Sequence, residues 1–126
     1  MSADVVPIGH VKTPFEETGD APRQGEETAY CGNVRVDEQF RDGIGEFAHG
    51  DRVVVVWWAD RADRDVLRVR DGDRGVFSTR SPARPNPVCL TECEVVAVDA
   101  DDGTLAVRGV DMADGSPVLD LKPPLD

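Results

Sequence analysis

Three stretches of the chain concentrate side chains able to do chemistry. In Gly75-Val76-Phe77-Ser78-Thr79-Arg80-Ser81-Pro82-Ala83-Arg84-Pro85-Asn86-Pro87, the prolines fix three φ angles and push the residues before them into extended geometry, so the loop is stiff. A stiff loop presents Arg80, Arg84 and Asn86 with little entropy left to lose on binding, which suits recognition of a carboxylate, a phosphate or a base edge. The plainer use of these arginines is pairing with the abundant Asp. Two Arg and an Asn within one proline-rigid loop favour binding. The stretch Gly109 to Pro123 reads as strand, tight turn, strand, with Asp111 and Asp114 bracketing the turn and Asp120 and Lys122 alternating on one strand face. Asp at a turn usually caps local backbone. Its carboxylate also binds hydroxyls and ammonium groups, so a cationic metabolite fits there. The third stretch, Thr13-Pro14-Phe15 followed by Ala21-Pro22-Arg23-Gln24-Gly25, sets Arg23 beside Gln24, an amide that donates and accepts at once.

Other reactive residues are weaker candidates. Trp57 and Trp58 point to opposite sheet faces by strand alternation, one into the core and the other toward a planar ligand or a partner. Cys31, Cys89 and Cys93 are odd in number and form no C-x-x-C pair, which argues against a disulfide framework and a zinc ribbon. Cys89 and Cys93 share one sheet face, and small buried hydrophobes is the favoured reading over a metal pair. His10 and His49 lack a spaced carboxylate partner, so no metal site is expected. G-x-G-x-x-G between strand and helix, the P-loop, G-x-S-x-G and H-E-x-x-H are all absent, which excludes the common Rossmann, nucleotide-hydrolase, serine-hydrolase and zincin designs.

The elements that must position these loops are strands. Alternating, β-branched runs predict strands over Val5–Val11, Thr28–Val36, Arg52–Trp58, Val66–Arg70, Gly75–Ser78, Val88–Val98, Thr104–Val110 and Val118–Leu121. Asp102-Gly103 between two of them reads as a hairpin. Only Asp37 to Phe47 has room for a helical turn or two, limited by the glycines at 43 and 45. Many strands and almost no helix predict an all-β fold, a closed or nearly closed β-barrel that removes open sheet edges. With 126 residues and 40% hydrophobic content the chain suits one domain over residues 1–126, burying roughly two-thirds of its unfolded surface.

The net charge of -11 comes from 17 Asp and 8 Glu against 12 Arg and only 2 Lys. Asp over Glu with Lys almost absent reads as adaptation to molar salt, where hydrated carboxylates keep the surface solvated and the Debye length falls to roughly 3 Å. Taken alone, the acidity argues against a nucleic-acid partner, since phosphate binding normally leaves a basic footprint. No run is long enough to span a bilayer, and the start lacks the basic and apolar regions of a signal peptide, so a cytoplasmic protein is expected.

Taken in order, P-I-G-x-V-x-T-P-F, P-R-Q-G, G-V-F-S-T-R-S-P-x-R-P-N-P and D-G-S-P-V-L-D-L-K-P resemble the TrmO family, also called TsaA-like, YaeB or VirR, from Pro7 to Pro123. The resemblance implies a single-domain β-barrel methyltransferase of non-Rossmann type. It further implies a homodimer that binds S-adenosylmethionine (SAM) and methylates N6 of threonylcarbamoyladenosine beside the tRNA anticodon. The implied SAM contacts are Pro22, Arg23 and Gln24 of P-R-Q, Arg80 of T-R-S, Leu90 just after R-P-N-P, and Asp111, Met112, Ala113 and Asp114 of the D-x-x-D-G turn. Ala59 and Asp60 complete them, standing where the family has an aromatic residue and His after the paired tryptophans. Arg84, Asn86, Asp120 and Lys122 match motif positions that shape the pocket. Ser116 replaces a usual Thr, Pro124 replaces a usual Tyr, and the chain stops at Asp126 without the extension of longer bacterial members.

The activity implied is therefore SAM-dependent tRNA methylation. The alternatives are methylation of another substrate and a non-enzymatic SAM-binding sensor or scaffold dimer. In molar salt, counterion release contributes little, so any RNA grip must rest on short-range contacts and survive salt that strips an ordinary basic RNA-binding protein.

Overall fold

The computed structural model describes residues 3–16 and 30–125. The strand β3 (Arg52–Trp58) illustrates why the chain folds as sheet. Its sequence RVVVVWW is almost wholly β-branched or aromatic, and burial alternates along it, so Val53, Val55 and Trp57 fill the core while Val54, Val56 and Trp58 face outward. The same alternation runs through β1 (Gly9–Lys12), β2 (Cys31–Val36), β6 (Val88–Asp99), β7 (Thr104–Arg108) and β8 (Pro117–Lys122). These six strands close in the order β1-β2-β7-β6-β3-β8, each antiparallel to its neighbours. Closure leaves the barrel no exposed edge. A separate two-stranded hairpin, β4 (Arg68–Val69) with β5 (Arg74–Gly75), lies between β3 and β6 in sequence.

The registers decide which loops meet. Lys12 pairs with Asn33, Cys31 with Arg108, Trp58 with Val88, and Trp57 and His10 with the start of β8 at Val118 and Pro117. The connections 13–30, 59–87 and 109–116 therefore all open at one end of the barrel. Those three connections are the chemically rich stretches of the sequence. The opposite end carries a 3₁₀ segment, Glu38–Ile44, and the β6–β7 hairpin. There Ile44 is buried and Phe40 packs against the same cluster, closing that end with apolar side chains. At the hairpin, Gly103 takes φ +75° and donates its N–H to the Asp99 carbonyl at 2.9 Å, the conformation for which the Asp-Gly pair was read as a turn.

The core is Val11, Val34, Val36, Val53, Val55, Trp57, Val95, Leu105, Val107, Val110, Met112 and Val118 with smaller partners, all at most 4% exposed. Full burial of each aliphatic side chain stabilises the fold by roughly 1.5–3 kcal/mol.

Several strands differ from the sequence expectation. β1 starts at Gly9 and β4 is two residues long. β7 stops at Arg108: the Gly109 N–H still bonds the Tyr30 carbonyl in register at 2.9 Å, but Gly109 takes φ +102°, which turns the chain out of the strand. Gly75–Ser78 is not a strand: β5 ends at Gly75, and Val76–Ser78 is a 3₁₀ turn. The Ser78 hydroxyl bonds the Gly75 carbonyl at 2.8 Å and the Thr79 N–H bonds the Val76 carbonyl at 3.0 Å, so local bonding wins over pairing.

On the barrel wall the arginines do pair with carboxylates: Arg52 with Glu92 at 2.6 Å, Arg35 with Asp102 at 3.5 Å and Arg108 with Glu94 at 4.0 Å. All are exposed, and such pairs contribute at most about 1 kcal/mol each. Among the described residues no helix is long and apolar enough to cross a membrane.

Candidate functional site at one end of the barrel

The excursion 59–87 is tied at its neck by the Ala59 N–H to the Pro87 carbonyl, 2.9 Å, with Ala59 itself buried and Asp60 exposed. Arg64 then links its two limbs. Its Nε donates to the Pro85 carbonyl at 2.7 Å, its Nη2 to Asn86 Oδ1 at 3.1 Å, and its guanidinium lies 5.0 Å over the Trp58 ring. The outward tryptophan is thus an arginine platform, and Asn86 is held by a guanidinium. Arg84 donates to the Thr79 and Ser81 carbonyls at 2.9 and 3.1 Å and sits 5.8 Å from the centre of the Phe77 ring. Arg80 reaches β6, donating Nη2 to the Leu90 carbonyl at 3.2 Å. Both arginines thus spend donors on backbone carbonyls, and among the described residues neither forms a carboxylate pair of the kind seen on the barrel wall.

The 109–116 loop is stitched to the β1–β2 connection. Asp114 Oδ1 accepts the Thr13 N–H at 3.0 Å, the Asp114 N–H bonds the Phe15 carbonyl at 2.6 Å, and the Thr13 hydroxyl bonds the Met112 carbonyl at 2.8 Å. Arg61 joins all three connections, donating to the carbonyls of Glu16 at 2.7 Å and Asp114 at 3.2 Å. Phe15 and Tyr30, at the two ends of the segment 17–29, meet edge to face with centroids 5.1 Å apart.

Asp111 and Asp114 consequently do different work. Asp114 is exposed and caps backbone. Asp111 is half-buried and its Oδ1 accepts the Thr91 hydroxyl at 2.5 Å, while Thr91 in turn accepts the Trp57 indole N–H at 3.0 Å. Burial raises the Asp111 carboxyl above its usual range; the Thr91 bond, its own backbone N–H and the positive charge of Arg80 pull it back down. Cys89 is pushed up to about 11 by burial and by the Asp111 charge, against Arg84 and Arg80. Cys93 is pushed up to about 12, chiefly by burial. Both thiols are neutral at physiological pH and act as small core residues, and no group of metal-ligating side chains occurs among the described residues.

Of the residues singled out by sequence, the structure gathers Arg80, Arg84 and Asp111 around Cys89 at this end of the barrel, with Arg80 held by the Leu90 carbonyl. Met112 and Ala113 are buried, so they offer that end backbone only. Asp120 and Lys122 lie on the outer wall, paired with each other at 3.6 Å. Pro22, Arg23 and Gln24 lie outside the described residues. Trp57 is the tryptophan of the pair that enters the core, and Thr91, Arg61 and Arg64 were missed. A threonine at an inward position of β6, between Cys89 and Cys93, was the available signal for the first.

The donor set suits one kind of ligand: guanidinium groups for a carboxylate and a half-buried carboxylate for a positive charge, while Val88 and Leu90 are exposed on the outward face of β6, opposite Thr91. Residues 10–126 match the family described as the tRNA-methyltransferase O N-terminal domain. The chain belongs to that family. A probable S-adenosyl-L-methionine-binding protein of Halobacterium salinarum is 72% identical over 120 residues, which cover 95% of this chain and 97% of that one. A tRNA (adenine(37)-N6)-methyltransferase of mouse is 34% identical over 93% of this chain and 30% of its own. The crystal structure of TrmO from Pseudomonas aeruginosa superposes with a TM-score of 0.81 at 27% identity, covering 99% of this chain and 57% of that one. The TrmO barrel is thus the fold of this chain, which spans little more than half of that crystallised chain.

Proposed function

We propose that the protein is a SAM-dependent methyltransferase whose substrate is N6-threonylcarbamoyladenosine beside the tRNA anticodon, acting as a homodimer in the cytoplasm of a halophile. The observation carrying this reading is that the strand ends bordering all three chemically rich connections lie at one end of the barrel, in a chain of the TrmO family. SAM supplies a methyl group already activated on a sulfonium. The protein then has mainly to bind, orient and exclude water. Arg80 offers guanidinium donors to the ligand's carboxylate, Asp111 complements its positive charge, and the Leu90 carbonyl holds Arg80. Pro22, Arg23 and Gln24, at the family's P-R-Q position, complete the binding set, with Ala59, Asp60, Met112, Ala113 and Asp114 lining it and Arg84, Asn86, Asp120 and Lys122 shaping its surroundings.

The arginine distribution supports an RNA substrate despite the overall acidity. Residues 60–86 hold seven of the 12 arginines against five aspartates. The excursion is thus net basic in an otherwise acidic chain, and it exposes Phe77 (73%) and Leu67 (58%). Arginines interleaved with an exposed aromatic ring suit backbone phosphates and unstacked bases. The double variant Arg70→Glu, Phe77→Ala is expected to raise KM for tRNA about tenfold with SAM affinity unchanged. Its wild-type counterpart should still bind tRNA in molar KCl, and tight binding only at low salt would contradict the short-range grip argued here.

A SAM-binding protein acting on another substrate is the second reading, favoured by the acidic surface. Nucleoside mass spectrometry of tRNA from a deletion strain separates the two. Loss of methylated threonylcarbamoyladenosine supports the tRNA substrate, and its persistence selects the second reading.

A further inference from the structure

The hydroxyl of Thr91 sits in a relay with only one direction. Indole N–H donates and never accepts, so at 3.0 Å from Trp57 Nε1 the Thr91 oxygen is an acceptor, and its own proton must be handed elsewhere. Asp111 Oδ1, 2.5 Å away, receives it, a separation typical of O–H···O⁻ bonds. Trp57 and Thr91 are each only 4% exposed, and both stand on barrel strands rather than on a loop. Val55 pairs with Thr91 and Trp57 with Cys89, so the indole meets Thr91 diagonally across the β3–β6 ladder, a reach that long aromatic side chains cover. The relay thus anchors a half-buried loop carboxylate to the rigid wall of the barrel.

We propose that Thr91 is a positioning residue of the ligand site: pinned by Trp57, it fixes Asp111 in one orientation and one charge state to meet the ligand's positive charge. This rests on the SAM-site reading above and deepens it, since it explains how a loop Asp keeps its aim. The charged and titratable groups around Asp111 are Arg80 from the excursion, with Arg84 beside Cys89, and the thiols Cys89 and Cys93 from β6. The thiols, at about 11 and about 12, stay neutral between pH 4 and 8. Glu92, which with Arg52 acts on Cys93, is a further carboxylate of β6, so the charge of Asp111 is followed by its own resonance. A hydroxyl donating to the carboxylate favours its ionised form, so removing the hydroxyl moves ionisation to higher pH.

The test compares wild type with Thr91→Val, which keeps the shape and loses the hydroxyl, and Thr91→Ser, which restores it. The Asp111 carboxylate is followed by ¹³C NMR across pH without ligand, and SAM affinity by calorimetry across the same range, with melting temperature recorded throughout. Thr91→Val is expected to raise the Asp111 midpoint by about one unit and to shift the acid limb of SAM binding upward with it, weakening binding about tenfold on that limb. Thr91→Ser is expected to return both. Trp57→Phe, which removes the N–H and keeps a ring, is expected to give a smaller shift in the same direction. A Thr91→Val protein that melts earlier with both midpoints unmoved overturns the proposal, as does a moved NMR midpoint with an unmoved acid limb. If Val does not fold, Trp57→Phe decides by the same readouts, an unmoved NMR midpoint overturning the relay. Wild type that binds no SAM at any pH overturns the SAM reading and this role with it, and the ligand-free NMR midpoint tells that failure from failure of the relay.

Discussion

Replacing Arg80 by Ala is expected to abolish SAM binding measurable by calorimetry in molar KCl, weakening it at least about a hundredfold, or about 2.7 kcal/mol. The magnitude follows from what the side chain does. One terminal nitrogen is spent on the Leu90 carbonyl at 3.2 Å, which fixes the fork against β6 and leaves the other donors to a ligand carboxylate. Each hydrogen bond to a charged group contributes about 1.5–3 kcal/mol, so loss of a two-point contact reaches the stated range. The same substitution removes the positive charge of Arg80 that pulls Asp111 down, so its carboxyl moves further up. Arg80→Lys keeps the charge and loses the fork, so an intermediate loss is expected. Arg35→Ala, which breaks an exposed pair with Asp102 at the opposite end of the barrel, is expected to leave affinity unchanged. Equal affinity for Arg80→Ala and wild type would remove Arg80 from the site.

The second large effect concerns stability. Gly9→Ala is expected to destabilise the protein by about 3 kcal/mol and lower its melting temperature by about 10 °C. A Cβ on Gly9 would collide with the Arg35 carbonyl oxygen and come within 3.0 Å of the Val36 Cα, both backbone atoms of β2. Gly9 pairs with Val36 on one side and Val118 on the other, so β1 cannot move aside without breaking one of two ladders that close the barrel. Gly43→Ala is the control, since nothing lies within 4 Å of a Cβ there. A Gly9→Ala protein that melts with the wild type in thermal circular dichroism would contradict the close approach. The glycine of P-I-G, one of the residues carrying the family resemblance, is thus a barrel-closure residue rather than a ligand contact.

These two cases show which features the sequence makes legible. Arg52–Trp58 was read with its observed bounds because β-branched residues, alternation and a single buried face all agree. The stiff loop around Arg80 and Arg84 was visible from its prolines. What it does with its arginines was not, because their carbonyl partners at Thr79, Ser81 and Leu90 exist only once the excursion has folded back on β6. Gly75–Ser78 has strand composition, and Ser and Thr bonds to nearby carbonyls override it. The division of labour between Asp111 and Asp114 was likewise hidden: it depends on Thr13 and Thr91, 101 and 20 residues away in the chain. Composition gave the acidity but not its distribution. Carboxylates pair the arginines of the wall, whereas the arginines of the excursion contact carbonyls, an amide and aromatic rings.

The central claim is transfer of a methyl group from SAM to threonylcarbamoyladenosine in tRNA at this barrel end. Its most direct test is reconstitution: purified protein, methyl-labelled SAM and tRNA from a deletion strain, incubated in molar KCl, followed by nucleoside mass spectrometry. The predicted result is labelled N6-methyl-threonylcarbamoyladenosine with wild type and none with Arg80→Ala. Unlabelled threonylcarbamoyladenosine recovered intact with wild type, under conditions where calorimetry registers SAM binding, would contradict it.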